Sequence, residues 1–253
     1  MKKLSFSVLL LLTLFSCGEV ELSAEKIDLE RYVQLEKKLT TEFNNLAAGL
    51  RNIPSDLNDK NAVLNVAKNT YGQSSELYKV FLNSYEDQVN VSSNGRTAEE
   101  VINLTPVQEE RITQILNHIP NTYSLEDFLI YLDDQFTIIA NQPRMLMSDK
   151  DFLLSYIVSY KSTLVFINTN IDLINAGFED PSFGGRTQGW WDSWGRCAAG
   201  IIGGAGSVGI GYALAGAGAG TIVLPVVGTV AVAVVAGVAG AVFGGLAGAA
   251  AAC

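Results

Sequence analysis

Three cysteines, one histidine and several adjacent carboxylates are the groups with which this 253-residue chain could do chemistry. General acid–base catalysis needs two titratable groups held at a set separation around a reacting atom. Glu109-Glu110 and Asp133-Asp134 lie in helical patterns as sequence neighbours and read as solvated helix faces. His118 falls near the end of a predicted helix, just before Pro120, with no catalytic motif beside it, so a helix-end or surface role is expected. Asp56, Asn58 and Asp59 lack the glycine and terminal glutamate of a calcium loop. Gly204-x-Gly206-x-x-Gly209 has the spacing of a dinucleotide fingerprint, but no strand precedes it and no acidic ribose partner surrounds it. The expectation is a non-enzymatic protein with no metal and no cofactor.

The cysteines are more informative. Lys2 and Lys3 precede an apolar run from Leu4 to Phe15, the layout of an export signal, and the run is too short to span a bilayer. It ends at Leu14-Phe15-Ser16-Cys17, which resembles the lipobox of bacterial lipoproteins. That resemblance implies cleavage after residue 16, acylation of Cys17 with fatty acid such as palmitate, and anchoring in the cell envelope, with the outer membrane expected. With Cys17 lipidated, Cys197 and Cys253 remain, and in an oxidising compartment the two are expected to pair. The bridge would close a long loop and contribute on the order of 4 kcal/mol by the chain-entropy model. Two unpaired thiols in an apolar setting are the other reading.

The net charge is −9, and removal of the signal makes it more negative by taking away Lys2 and Lys3. That argues against nucleic acid as a partner. No basic cluster is present to adsorb the protein to anionic lipid either.

From Cys197 to Cys253 the chain has no Lys, Arg, Asp, Glu or His and consists almost wholly of Gly, Ala, Val, Ile and Leu. Each glycine costs about 1 kcal/mol relative to alanine in a water-exposed helix. A bilayer or close packing must therefore stabilise any helix formed here. Gly240-x-x-x-Gly244-x-x-x-Gly248 has the spacing at which one helix presses its backbone on another. Gly200-x-x-x-Gly204 and Gly216-x-x-x-Gly220 offer matching small faces. Pro225, flanked by Gly220 and Gly228, predicts a turn that divides the tail into two arms, about Ala198–Ala219 and Val226–Ala252. Each arm is about 30 to 40 Å long as a helix, enough to cross a bilayer core. Such a hairpin would bring Cys197 and Cys253 together.

These elements must be carried by the rest of the chain. Leu29, Tyr32, Leu39, Phe43, Leu46 and Leu50 mark one amphipathic helix, interrupted only by Glu36 and ending near Ile53-Pro54. A second segment covers Leu57 to Lys68, and Leu77, Val80, Phe81 and Tyr85 mark a third up to about Gln88. Thr97 with Glu100 and Thr105-Pro106-Val107-Gln108 read as capping boxes. Ser124 and Ser148 open two further helices, the latter carrying Phe152, Tyr156, Ile157, Leu164, Ile167, Ile171 and Ile174 toward a stop at Gly177. The fold class expected is all-α: a soluble irregular helical bundle plus a Gly/Ala-rich apolar helical hairpin. The domain reading is a signal peptide over 1–16, a helical domain over 17–176, a Gly/Trp linker over 177–196 and the glycine-zipper hairpin over 197–253.

Trp190, Trp191 and Trp194 close the linker, immediately before the uncharged tail. Tryptophan favours the headgroup layer of a membrane, which makes these three the expected interface residues. A hydrophobic plug against the helical domain is the other reading of the same cluster.

The tail resembles the glycine-zipper bacteriocins, including the two-peptide bacteriocins and colicin V-like microcins. The residues that carry the likeness are Cys197-Ala-Ala-Gly-Ile-Ile-Gly-Gly-Ala-Gly, Thr221-Ile-Val-Leu-Pro-Val-Val-Gly and the zipper Gly240 to Gly248. That resemblance implies entry into a membrane and permeabilisation. The lipobox together with the hairpin is also similar to outer-envelope lipoproteins of structural or stress-related role. A third reading is a helical module that binds a protein partner and uses the tail to dock or oligomerise. Membrane lipid, a homo-oligomer through the tail and an unidentified protein partner are the expected contacts.

Overall fold

The computed structural model describes residues 27–51, 60–74, 78–86, 104–173 and 189–200, with Gly203 and Gly240 besides; side chains at 50, 193 and 194 are not among them. The described residues are all-α, with no strand. Helix α1 runs Glu30–Leu50 and α2 Lys60–Tyr71. A short helix, α3, covers 78–86. Helix α4 is Pro106–His118, continued by a 3₁₀ turn over Ile119–Asn121. Helices α5, Leu125–Ala140, and α6, Met147–Thr169, complete the bundle.

Helix α1 buries Tyr32, Leu35, Leu39, Phe43, Leu46 and Ala47, a stripe of three- and four-residue steps. Leu35, beside the interrupting Glu36, restores the periodicity, whereas Leu29 at the helix entrance is 50% exposed. Helix α4 starts as its sequence dictates. The Thr105 hydroxyl accepts from the Gln108 N–H at 3.3 Å, and the Gln108 side chain accepts from the Thr105 N–H at 3.1 Å, with Pro106 in the first turn. Ser124 caps α5 by accepting from the Asp127 N–H at 3.1 Å.

The bundle is built around α6. From Asp149 to Ile167 nearly every side chain of this helix is buried, so it presents no solvent face over most of its length. Helix α1 packs on it through the stacked rings of Phe43 and Phe166, 4.9 Å apart. The Arg31 guanidinium pairs with the buried Asp151 carboxylate, which also accepts from the Tyr32 hydroxyl at 2.8 Å. Helix α4 is tied in by Asp149, whose Oδ1 accepts from the Thr105 hydroxyl and from Gln108 Nε2, both at 2.9 Å. Helix α5 is tied in by Lys161, whose Nζ lies 2.6 Å from Asp133 Oδ1. Acidic groups in the first turn also meet the positive end of the helix dipole.

The helix expected to open at Ser148 begins one residue earlier, at Met147. Its first five residues include Asp149, Lys150 and Asp151, three buried ionisable side chains that an amphipathic reading would have placed in solvent. No helix of the described residues is long and apolar enough to cross a membrane. The expected stops at Pro54 and Gly177, the capping box at Thr97 and most of both tail arms fall outside the described residues.

Candidate tail-docking site

The sequence that leads into the tail enters the bundle core. Gly189, with φ of +94°, turns the chain, and its carbonyl accepts from the Asp192 N–H at 3.1 Å. A helical segment over 190–200 follows, opened by a wide π turn over Trp191–Gly195. Positions eight apart on a regular helix are rotated by about 80° from one another. The π turn takes back part of that rotation. Trp190 and Trp191 before it and Ala198 and Ala199 after it are all buried.

Trp190 donates its indole N–H to Asn168 Oδ1 on α6 at 2.8 Å. Its ring also covers Gly195, where an added Cβ would lie 2.5 Å from Trp190 Cε3. Trp191 packs 5.8 Å from Phe128 of α5 and edge-on to Trp190. The structure corrects the expectation that these two rings face a headgroup layer, since both are 4% exposed and belong to the core. The plug reading of the cluster is the one the geometry supports, because the α5–α6 cleft supplies aromatic neighbours and one acceptor. The Trp194 side chain lies outside the described residues.

Beyond the plug, the Tyr160 hydroxyl donates to the Ala199 carbonyl at 2.7 Å. Burial pushes the Tyr160 phenol well above its ordinary pKa, with neighbouring Tyr156 adding to the shift, so the donor stays protonated. At the rim, Arg196 holds Asp192 at 3.2 Å and reaches the Thr122 carbonyl at 3.4 Å.

Two glycines of the tail touch the helical domain. Gly203 is helical and buried against α4 and α6, where a side chain would collide with Leu116 and come within 2.9 Å of Tyr160 Cζ. Gly240 is helical and buried against the Phe81 backbone of α3, so close that its added Cβ would overlap the Phe81 carbonyl. Gly200, expected to pack closely, instead has nothing within 4 Å of an added Cβ. Gly203, which was not singled out by spacing, takes that role. Its neighbour Gly204, with Gly216, Gly220, Gly244 and Gly248, and the turn residue Pro225, lies outside the described residues.

Cys197 is exposed and disulfide-bonded; Cys17 and Cys253 both lie outside the described residues, and the pairing with Cys253 stays a proposal. Several hydroxyls around this core are buried without a hydrogen-bond partner: Ser84 on α3, and Ser155, Tyr156, Ser159 and Ser162 on α6. A shallow groove of about 440 Å³ separates α4 from α5 at the surface, lined by Arg111, His118, Tyr131 and Gln135 among others. His118 ends α4 there and stacks on Tyr131 at 3.7 Å. Among the described residues, no carboxylate, serine or cysteine lines this groove. Among the described residues no cluster of His, Cys, Asp or Glu has the makings of a metal site. Asp133 faces solvent in its pair with Lys161, as its position on a helix face predicts.

No protein-family model, no curated protein and no solved structure matches this chain.

Proposed function

We propose that this chain is a non-enzymatic envelope lipoprotein, held by lipid on Cys17, whose C-terminal glycine-zipper segment inserts into or oligomerises in a membrane. Bacteriocin-like permeabilisation is the leading form of that activity. The observation that carries the reading is the contrast at Cys197. Before it lies a helical domain with a charged surface, and after it a segment with no ionisable side chain except Tyr212 and Cys253. Such a segment has no stable place in water and must be covered by protein or by lipid. An acyl chain already tethers the protein in this reading, so a second apolar element serves more than attachment.

A second reading has its own support. Trp190, Trp191, Ala198 and Ala199 are held in the bundle core, which suits a tail that docks the helical domain and leaves its outer surface to a protein partner.

Fractionation of cells expressing the unaltered chain and its Cys17→Ser variant separates these readings. Insertion predicts that the variant stays with the membrane against carbonate extraction, and that the purified protein releases dye from phospholipid vesicles at micromolar concentration. A variant that is wholly soluble, together with vesicles that do not leak, would overturn the insertion reading in favour of the docking one.

A further inference from the structure

We infer that the glycine zipper of the second tail arm is an intramolecular docking face, seated on α3 of the same chain, and that the helical domain is the keeper of its own tail. This goes beyond membrane activity, since it names what the zipper packs on before any membrane is met.

Gly240 is the first glycine of the zipper, and it meets a helix backbone of the domain rather than a side-chain surface: the Phe81 Cα, C and O surround the place where a Cβ would stand. Backbone-to-backbone approach is the use for which small-x-x-x-small spacing is suited, and a small residue on the opposing helix favours it further. Helix α3 supplies one. Ser84 lies one turn beyond Phe81, is fully buried and has no hydrogen-bond partner for its hydroxyl. Residues three and four apart share a helix face, so Phe81, Ser84 and Tyr85 form one face of α3, and all three are buried.

On a continuous helix Gly244 and Gly248 share the face of Gly240. At Gly240 that face is occupied by α3 in the docked chain and is closed there to a second copy of the tail. Gly203 gives independent support from the first arm, because it too has no room for a side chain, against Leu116 and Tyr160. The two arms are thus held at separate points on one domain. Oligomerisation through the zipper, or insertion into lipid, requires Gly240 to leave Phe81 first.

The test uses the full chain carrying Cys17→Ser, with the disulfide kept oxidised. Photo-leucine incorporated throughout places reactive groups at Leu82 on α3 and Leu246 in the second arm. Irradiation in buffer should link the peptide containing 78–86 to the peptide containing Leu246, and a mixture of isotopically heavy and light protein should give links within one isotope only. Cross-links joining tails of two molecules, with none to 78–86, would overturn the inference. Gly240→Leu gives the second arm of the test. Hydrogen exchange at 78–86 should accelerate at least tenfold, and the fraction floating with phosphatidylcholine–phosphatidylglycerol vesicles should rise severalfold. Gly200→Leu, placed where the structure has open space, should change neither. Equal behaviour of the two variants would also refute the docking of Gly240.

Discussion

Tyr160 of α6 donates its hydroxyl to the Ala199 carbonyl at 2.7 Å, and so joins the centre of the helical domain to the first turn of the uncharged tail. Both residues are about 1% exposed, which leaves water no access to replace the bond. Tyr160→Phe keeps the ring packing on Phe128 and deletes only the donor. Removing one partner of a buried hydrogen bond costs about 1 to 3 kcal/mol. The urea midpoint should fall accordingly, and native-state tryptic cleavage after Arg196 should become faster, because that rim is held down by the same segment. An unchanged midpoint with an unchanged cleavage rate would show that the contact does not secure the tail.

The Arg31–Asp151 pair makes a different prediction. Asp151 is buried and takes both the guanidinium and the Tyr32 hydroxyl, while Arg31 Nε has no partner of its own. Asp151→Ala would leave a buried cation without compensation, a change that costs about 3 to 5 kcal/mol. Replacing both groups by apolar ones, as in Arg31→Met with Asp151→Leu, should recover much of that loss, since the desolvation of two charges is removed along with their attraction. Denaturant unfolding of the single and double variants checks this. A double variant no more stable than Asp151→Ala would mean that the pair specifies the packing of α1 on α6 in a way volume alone does not replace.

How much of this was legible in the sequence follows from which forces are local. The capping box at Thr105 and the cap at Ser124 are visible because each is complete within four residues. The all-α class follows from apolar periodicity, which α1 obeys once Leu35 is counted. Helix α6 resists the same reading. Burial on all sides removes the polar face that defines an amphipathic pattern, and Asp149 and Asp151 are tolerated inside because Thr105, Gln108, Arg31 and Tyr32 arrive from other helices. The tryptophans show the same limit. A Trp pair beside an apolar run suits a headgroup layer or a protein cleft equally, and only Asn168 and Phe128, more than twenty residues away in sequence, decide for the cleft. In the second arm spacing points to Gly240, which meets the Phe81 backbone, but in the first arm it points to Gly200 where Gly203 makes the contact.

The buried tyrosines fix a pH limit. Burial raises the Tyr32 phenol to about 12 against the pull of Arg31, and pushes Tyr71, Tyr156 and Tyr160 up further. A group whose pKa is higher in the folded than in the unfolded chain binds its proton more tightly when folded, so its contribution is fully present below the unfolded value near 10. It is lost as pH rises toward and through the folded value. Stability should therefore decline from about pH 10 upward. Phenolate absorbance should show one class of tyrosines that ionises only as the helical circular dichroism collapses. A smooth titration of all tyrosines with the fold intact would contradict their burial.

Cys197 supplies the sharpest chemical test, because the two partners open to it exclude different things. It is disulfide-bonded and lies at the exposed edge of the segment that carries Ala198 and Ala199 into the core. A bond to Cys253 leaves the Cys17 thiol for acylation and closes a loop around the whole tail; a bond to Cys17 would consume the thiol that the lipobox resemblance assigns to lipid. Non-reducing peptide mapping of the Cys17→Ser chain should recover one linked pair, Cys197 with Cys253, and no thiol that alkylates under denaturing conditions. Cys253→Ser should then cost on the order of 4 kcal/mol by loop closure, and should raise exchange in the segment 196–200 before the rest of the bundle opens. Free alkylation of Cys197 in the Cys17→Ser chain would assign the bond to Cys17 and remove both the lipid anchor and the closed hairpin from the proposed function.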